Sequence, residues 1–407
     1  MTRRSQSVVP YILFCIWPIA LLPKVLQLGV LFAIGTLMVS YSYKTMGEYV
    51  IHAPETALFL YFCIYFLSVT LNLSHSNTER ILATFNTLAL WAISILLYVL
   101  YKNSIFNINS ISSLSAINIL ILSLLSVVYF LHPGLQMSLL GRPLVGTDWL
   151  EGEETSRFFA FFEYPNLVPA FCLILFPLSL RVISRIKTRF WAYAYCFSIL
   201  PPIAASASRM GVILGIAMVA VGVMYIHSGA SRPLLSTRVL ILLGVFLVAS
   251  VAFIYRDTLW NLLEKLFFSR SGSNSARFGL YEASLSQMLN RNVLLGCGIK
   301  DLSPEFGDKI PLGSHSTYLG ALYKTGIIGF VCFVVALFLI IKRILINSSD
   351  ILYSASCIAI ILLFFTLEDV DGANWLLALL LSVAGILSNE CLSTTCLPRE
   401  IVPCSTR

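Results

Sequence analysis

The sequence predicts an all-α polytopic membrane protein, with about twelve transmembrane helices in a single membrane domain over 1–407. Three observations carry that expectation. The chain is 58% hydrophobic and only 12% charged, where a soluble domain carries about 25% charged residues. Its apolar runs repeatedly reach the roughly 20 residues that cross a bilayer. Its basic residues also sort by loop: counted from the Thr2-Arg3-Arg4 start, Arg181, Arg185, Lys187, Arg189, Arg232, Arg238, Lys342 and Arg343 fall on or beside one face, as the positive-inside bias requires.

The N-terminus, MTRRSQSVVPYILFCIWPIALLP, has a basic start and an apolar stretch without a clear small-residue cleavage site, so it reads as an uncleaved first helix. Hydropathy places spans near 8–23, 25–43, 57–73, 82–101, 113–131, 166–181, 190–206, 209–227, 237–254, 323–341, 351–366 and 374–388. The first two are short enough to form one re-entrant hairpin. No internal repeat or low-complexity linker divides the chain. The same parity puts the loops 132–165 and 255–322, and the acidic turn LEDVDGAN, on the outer side.

Several function classes find no support. The net charge of +7 follows from cytoplasmic loop bias and gives no ground for a nucleic-acid partner. The ten cysteines lie mostly inside apolar runs and include no CxxC or Cys/His metal spacing. GxGxxG, Walker-type, HExxH and GxSxG motifs are all missing, and with them the grounds for nucleotide-driven transport and for serine or zinc hydrolysis.

Loop bias predicts few basic residues on the outer side, so those found there are informative: Arg142, Arg157, Arg209, Arg270, Arg277, Arg291, Lys300, Lys309 and Lys324. Arg209 follows Ser206 and Ser208 in SASRMGVILG. It reads either as a snorkelling helix-end anchor or, with those serines and the helix N-terminus, as an anion site. Arg157 precedes FFAFFEYPNLVPAF, whose aromatic rings suggest an interfacial belt or an amphipathic segment on the membrane, with sugar stacking as the weaker alternative, and whose Asn166 is a candidate N-cap.

Further along, Arg277 opens a segment in which Phe278, Tyr281, Leu285, Met288 and Leu289 recur at helical spacing. Glu282 on that helix reads as solvated or paired, and Arg291 as a cation at the helix C-terminus. His315, in PLGSHSTYLGALYKTGIIG, stands where a neutral imidazole could take a proton from a hydroxyl, or where it could simply cap a helix beside Ser314 or Ser316. Glu368, Asp369 and Asp371 read as a solvated turn, with divalent-cation binding as the weaker alternative.

Four blocks, in order and on one expected face, resemble the bacterial O-antigen ligase and O-antigen polymerase superfamily. They are FFEYPNLVPAF, SASRMGVILG, SARFGLYEASLSQMLNRNVLLGCGIKD and HSTYLGALYKTGIIGF. The glycine turn here begins at Asn292 and lacks the proline often found next.

The resemblance covers about 157–340 and implies an inner-membrane glycosyltransferase with a GT-C-like fold, making 132–165 and 255–322 periplasmic loops, the larger carrying the active site. Its donor would be a glycan on undecaprenyl diphosphate, and its acceptor a lipid-linked repeat unit (a polymerase) or lipid A-core (a ligase). Membrane lipid surrounds such an enzyme, and a chain-length regulator protein is the partner a polymerase would have. The site it implies has His315, Arg277 and Arg209 as catalytic residues, Arg157, Asn166, Ser208 and Tyr318 as substrate contacts, and no metal or cofactor. Polymerase is the favoured reading. A flippase or transporter for polyprenyl-linked glycans is the alternative from another class, and a purely structural scaffold is the weakest.

Overall fold

The computed structural model describes residues 8–15, 19, 21–45, 51–132, 137–139, 142–148, 155–228, 271–302, 311–371 and 374–389. The span expected over 237–254 lies outside the described residues, as do Arg232, Arg238, Arg270, Lys309 and the cysteines of the tail.

Helices dominate. After a first turn α1 (Val9–Ile12) come α2 (Lys24–Thr45), α3 (Ala53–Asn72), α4 (Thr78–Asn103) and α5 (Ile108–Leu131). Then follow α6 (Leu167–Ile183), α7 (Arg189–Phe197), α8 (Leu200–Ala205) and α9 (Arg209–Ser228). The chain closes with α10 (Ser271–Arg291), α11 (Thr317–Asn347), α12 (Ile351–Leu367) and α13 (Asn374–Leu387). Among the described residues, six helices are long and apolar enough to cross a membrane, and three shorter apolar ones lie over Leu167–Ile183, Ile351–Leu367 and Trp375–Leu387. This is a multi-pass membrane protein.

Two of the three shorter helices, α6 and α13, are the inner ones. Nearly every side chain of α6 is buried, as expected for a helix that is apolar all round. On α13, a Cβ at Gly385 would stand 2.5 Å from the Tyr98 carbonyl of α4, so these two helices meet backbone to backbone, the way small residues let membrane helices approach.

Three expectations need correcting. The run over 190–206 is not one span: α7 stops at Phe197 and α8 restarts at Leu200, with Pro201 and Pro202 in its first turn. A proline has no N–H to continue a ladder and disfavours helical geometry in the residue before it. The aromatic stretch after Arg157 is core and not an interfacial belt. Phe158, Phe161 and Phe162 are buried, with Phe162 stacked on Trp375 at 5.5 Å and tilted against Phe171 at 5.4 Å. The α10 helix turns a different face inward from the one the spacing suggested: Leu280, Ser284 and Met288 are buried, while Phe278, Leu285 and Leu289 are exposed.

Two short antiparallel hairpins follow α5. In the first, β1 (Ser138–Leu139) pairs with β2 (Arg142–Pro143). In the second, β3 (Val145–Asp148) pairs with β4 (Thr155–Phe158), and Gly146 lies opposite Arg157. This second hairpin delivers Arg157 to the end of the bundle.

A broken helix delivers the rest. Within α11, Gly326 has φ +61, a left-handed geometry that interrupts the helical ladder and that glycine adopts without penalty. The turn after α10 fills the gap: Ile327 and Ile328 donate N–H bonds to the carbonyls of Val293 and Leu294. Cys297 and Gly298 donate to the carbonyls of Tyr323 and Lys324. At Gly296 (φ +73) a Cβ would lie 2.4 Å from the Gly326 nitrogen, so any side chain would push the turn out of the break.

Candidate active site at one end of the bundle

The ends of α3, α8 and α12 and the starts of α4, α6, α9, α11 and α13 share one end of the molecule, as alternating passes require. The turn Glu368–Asp371 sits in its middle. The Thr317 backbone N–H and hydroxyl both donate to the Glu368 carbonyl, at 3.2 and 2.7 Å. That hydroxyl also accepts the Val370 N–H at 3.0 Å. The start of α11 and the acidic turn are therefore pinned to each other.

The turn is not solvated. Glu368, Asp369 and Asp371 are all buried, and each meets donors from a distant part of the chain. The Glu368 carboxylate accepts a bond from the Asn166 amide at 2.8 Å and lies 3.4 Å from the Arg277 guanidinium. Asp369 pairs with Lys300, and Asp371 pairs with Lys324 while accepting the Trp91 indole N–H at 2.6 Å. A buried charge is tolerated only when paired and hydrogen-bonded, and these carboxylates meet that condition. Among the described residues no group of three His, Cys, Asp or Glu side chains converges as a metal site.

Of the residues expected to form the site, Arg157, Asn166, Arg277 and His315 are gathered around this turn. Arg157 is 5% exposed. Its Nε donates to the Ser206 carbonyl at 2.9 Å and its Nη2 to the Asn166 side chain at 3.1 Å. Asn166 occupies the N-cap position of α6 but makes no side-chain cap bond; its amide is spent linking Arg157 to Glu368, which corrects the capping expectation. The Arg277 side chain keeps a quarter of its surface exposed and can still meet a ligand.

His315 is strained and held. Its φ is +63, a region that residues other than glycine rarely enter, and its carbonyl accepts the Tyr281 hydroxyl at 2.9 Å. The helix-cap alternative fails, because the α11 cap is Ser316, whose hydroxyl accepts the Leu319 N–H at 3.3 Å. Burial, and then the neighbouring Arg277 charge, push the imidazole down to about 4, with Lys300 acting the same way and Asp369 opposing. Near pH 7 His315 is thus neutral and can accept a proton. Glu368 goes the other way: burial lifts it to about 7 against the pull of Arg277, Asn166 and Arg157.

The remaining expected residues lie further out. Ser208 caps α9, accepting the Gly211 N–H at 3.3 Å. Arg209 opens that helix, three residues after the carbonyl that Arg157 binds. Tyr318 points into the bundle, where its hydroxyl donates to the Leu362 carbonyl at 3.2 Å.

The acidic turn is what sequence reasoning missed as a site component. A signal existed: the turn sets three carboxylates, Glu368, Asp369 and Asp371, between two apolar helices on the side to which the unexplained basic residues were assigned.

Comparison with known proteins adds one finding. Residues 194–334 match the family model described as O-antigen ligase. That range holds Ser208, Arg209, Arg277, His315 and Tyr318, and leaves Arg157, Asn166 and Glu368 outside. No curated protein matches the chain.

Proposed function

We propose that the chain, of which residues 194–334 match the O-antigen ligase family model, is an inner-membrane glycosyltransferase of the O-antigen ligase and polymerase superfamily working at the periplasmic face. It moves a glycan from undecaprenyl diphosphate to a hydroxyl acceptor. The observation that carries the reading is the convergence of one accessible arginine, Arg277, and one neutral histidine, His315, on a buried acidic turn at one end of a membrane bundle.

The chemistry needs little else. The donor's diphosphate is already an activated leaving group. Arg277 and Arg209 bind its oxygens and stabilise the charge that grows on them as the sugar–phosphate bond breaks. The acceptor oxygen attacks the anomeric carbon in line, the C–O bond to phosphate breaks with its electron pair leaving on the diphosphate, and the hydroxyl proton passes to His315. One displacement inverts the anomeric centre, and no metal takes part. Arg157 and Asn166 position Glu368, which holds Arg277 beside His315. Ser208 fixes the start of α9 beneath Arg209, and Tyr318 fastens α11 to α12.

We favour a surface-polysaccharide polymerase, with the acceptor on a second lipid-linked repeat unit and a chain-length regulator as partner. Ligation to lipid A-core is the alternative. A flippase is disfavoured because the charges gather at a bundle end and not at mid-membrane. The test is complementation of a polymerase-null strain with wild type, His315→Ala and Arg277→Ala at matched membrane levels. A long-chain ladder restored by wild type and lost in both variants supports the polymerase. Free long chains that become attached to lipid A-core only on expression identify the ligase. Full activity of both variants overturns the site.

A further inference from the structure

Arg277, Tyr281 and Ser284 stand at i, i+4 and i+7 along α10, and so share one face of that helix. Each reaches across to the end of the bundle. The Arg277 guanidinium lies 3.4 Å from the Glu368 carboxylate. The Tyr281 hydroxyl donates to the His315 carbonyl at 2.9 Å, and the Ser284 hydroxyl accepts the Gly313 N–H at 2.8 Å. On the other side, the Thr317 N–H and hydroxyl are fastened to the Glu368 carbonyl. These contacts close a ring that runs from Arg277 to Glu368, through Thr317 to His315, and through Tyr281 back to α10. The imidazole takes part in none of these ties.

His315 holds φ at +63, and a residue with a Cβ stays in that region only where its surroundings over-determine it. The bonds at Gly313 and Thr317 act on its neighbours, whereas the Tyr281 bond acts on His315 itself. Tyr281 is half-buried, and burial raises its phenol above the ordinary value, so it stays a protonated donor. We propose that Tyr281 is a positioning residue, whose hydroxyl fixes the His315 backbone and so sets the imidazole relative to the Arg277 guanidinium on the same helix. The inference rests on the transferase reading above. One rigid element then places both the group that meets the leaving diphosphate and the group that takes the acceptor proton. A small misplacement of either costs rate.

Two measurements on the full chain in nanodiscs test this. The first is the turnover of Tyr281→Phe, which keeps the ring and loses the hydroxyl. With an unfolding midpoint near wild type, its kcat should fall about tenfold while the donor KM stays unchanged. An unchanged kcat, or a loss carried by KM, overturns the proposal.

The second needs no turnover. The imidazole is followed by carbon NMR in chains labelled at histidine Cε1, with the signal assigned by its loss in His315→Ala. In wild type, burial and then Arg277 hold the imidazole at about 4, with Lys300 acting the same way and Asp369 opposing. Tyr281→Phe frees the backbone and lets the ring draw away from Arg277, so the midpoint should rise toward 6.5. A midpoint equal to that of wild type shows the ring still in place and overturns the proposal. Failure of the transferase reading looks different: wild type then transfers no glycan, while the imidazole signal still reports whether Tyr281 holds it.

Discussion

The two ends of the bundle solve the same problem with different chemistry. At the far end, most of the ties between helix termini are neutral. Arg343, donating to the Ser388 carbonyl at 3.3 Å, and Arg185, donating to the Asn109 side chain at 2.9 Å, are charged donors among the described residues there. The Asn389 amide donates to the carbonyls of Tyr101 and Ser104 at 3.1 and 2.9 Å, and the Asn347 amide to Ser388 at 2.8 Å. The hydroxyls of Ser42 and Ser104 bond to each other at 2.7 Å. Arg185, Lys187, Arg189 and Lys342 stand exposed there, where water solvates them. Among the described residues one buried ion pair is found there, Glu55 with Lys102, and Glu55 also closes the capping box of α3 with His52.

At the other end the ties are themselves charged: Glu368, Asp369 and Asp371 against Arg277, Lys300 and Lys324. Neutral amides would close helix ends at a smaller desolvation cost. Charge concentrated where amides would serve marks the end at which charge is used.

That contrast can be broken in four ways, the first two comparable in free energy and the largest. Lys324→Met leaves Asp371 buried without its ammonium partner, and should cost about 3–5 kcal/mol, read as a lower unfolding midpoint in detergent. Adding Asp371→Leu to Lys324→Met should recover most of that loss. Arg277→Ala leaves Glu368 its bond from Asn166 and free to take up a proton, so it should lower the unfolding midpoint less than Lys324→Met does. It should lower turnover on the order of 100- to 1,000-fold, measured as glycan transferred per unit of folded protein.

Next is a pH effect. Because Glu368 is raised from 4.5 to about 7 in the folded state, the native protein holds a proton that the unfolded chain releases between those values. The Glu368 contribution to stability is therefore fully present below about pH 4.5 and lost as pH rises through about 7. His315, lowered to about 4, contributes the opposite slope. Glu368→Gln should remove the first dependence and leave midpoints that rise more steeply between about pH 4 and pH 7 than those of wild type. Smallest is Asn389→Ala at the far end, expected to cost about 1–3 kcal/mol with transfer activity intact. Loss of activity in this variant would erase the distinction between the ends.

Much of the fold was legible in the sequence, because crossing a bilayer imposes a length and a polarity on each helix. The runs over 57–73, 82–101, 113–131 and 209–227 appear as α3, α4, α5 and α9 with ends moved by a few residues. The break over 190–206 was written in Pro201-Pro202 but hidden by hydropathy, which scores proline among apolar neighbours without its missing N–H. Arg277 and Arg157 were legible as charges that loop bias does not explain, and His315 as a candidate proton acceptor; the structure gathers them. The roles of Asn166 and the acidic turn were not legible. An Asn before a helix reads as a cap, and acids in a turn read as solvated, unless their partners are known.

The sequence by itself determined that this is a multi-pass helical membrane protein carrying a recognisable family segment, since hydropathy and local motif are properties of neighbouring residues. Only the tertiary structure decided which charges are buried, which arginine stays open, and that α10 turns Phe278, Leu285 and Leu289 outward. Those outcomes depend on contacts such as Asn166 with Glu368, 202 residues apart, and on a turn threaded into the break at Gly326. Burial and pairing over such separations are set by packing, which no local pattern encodes.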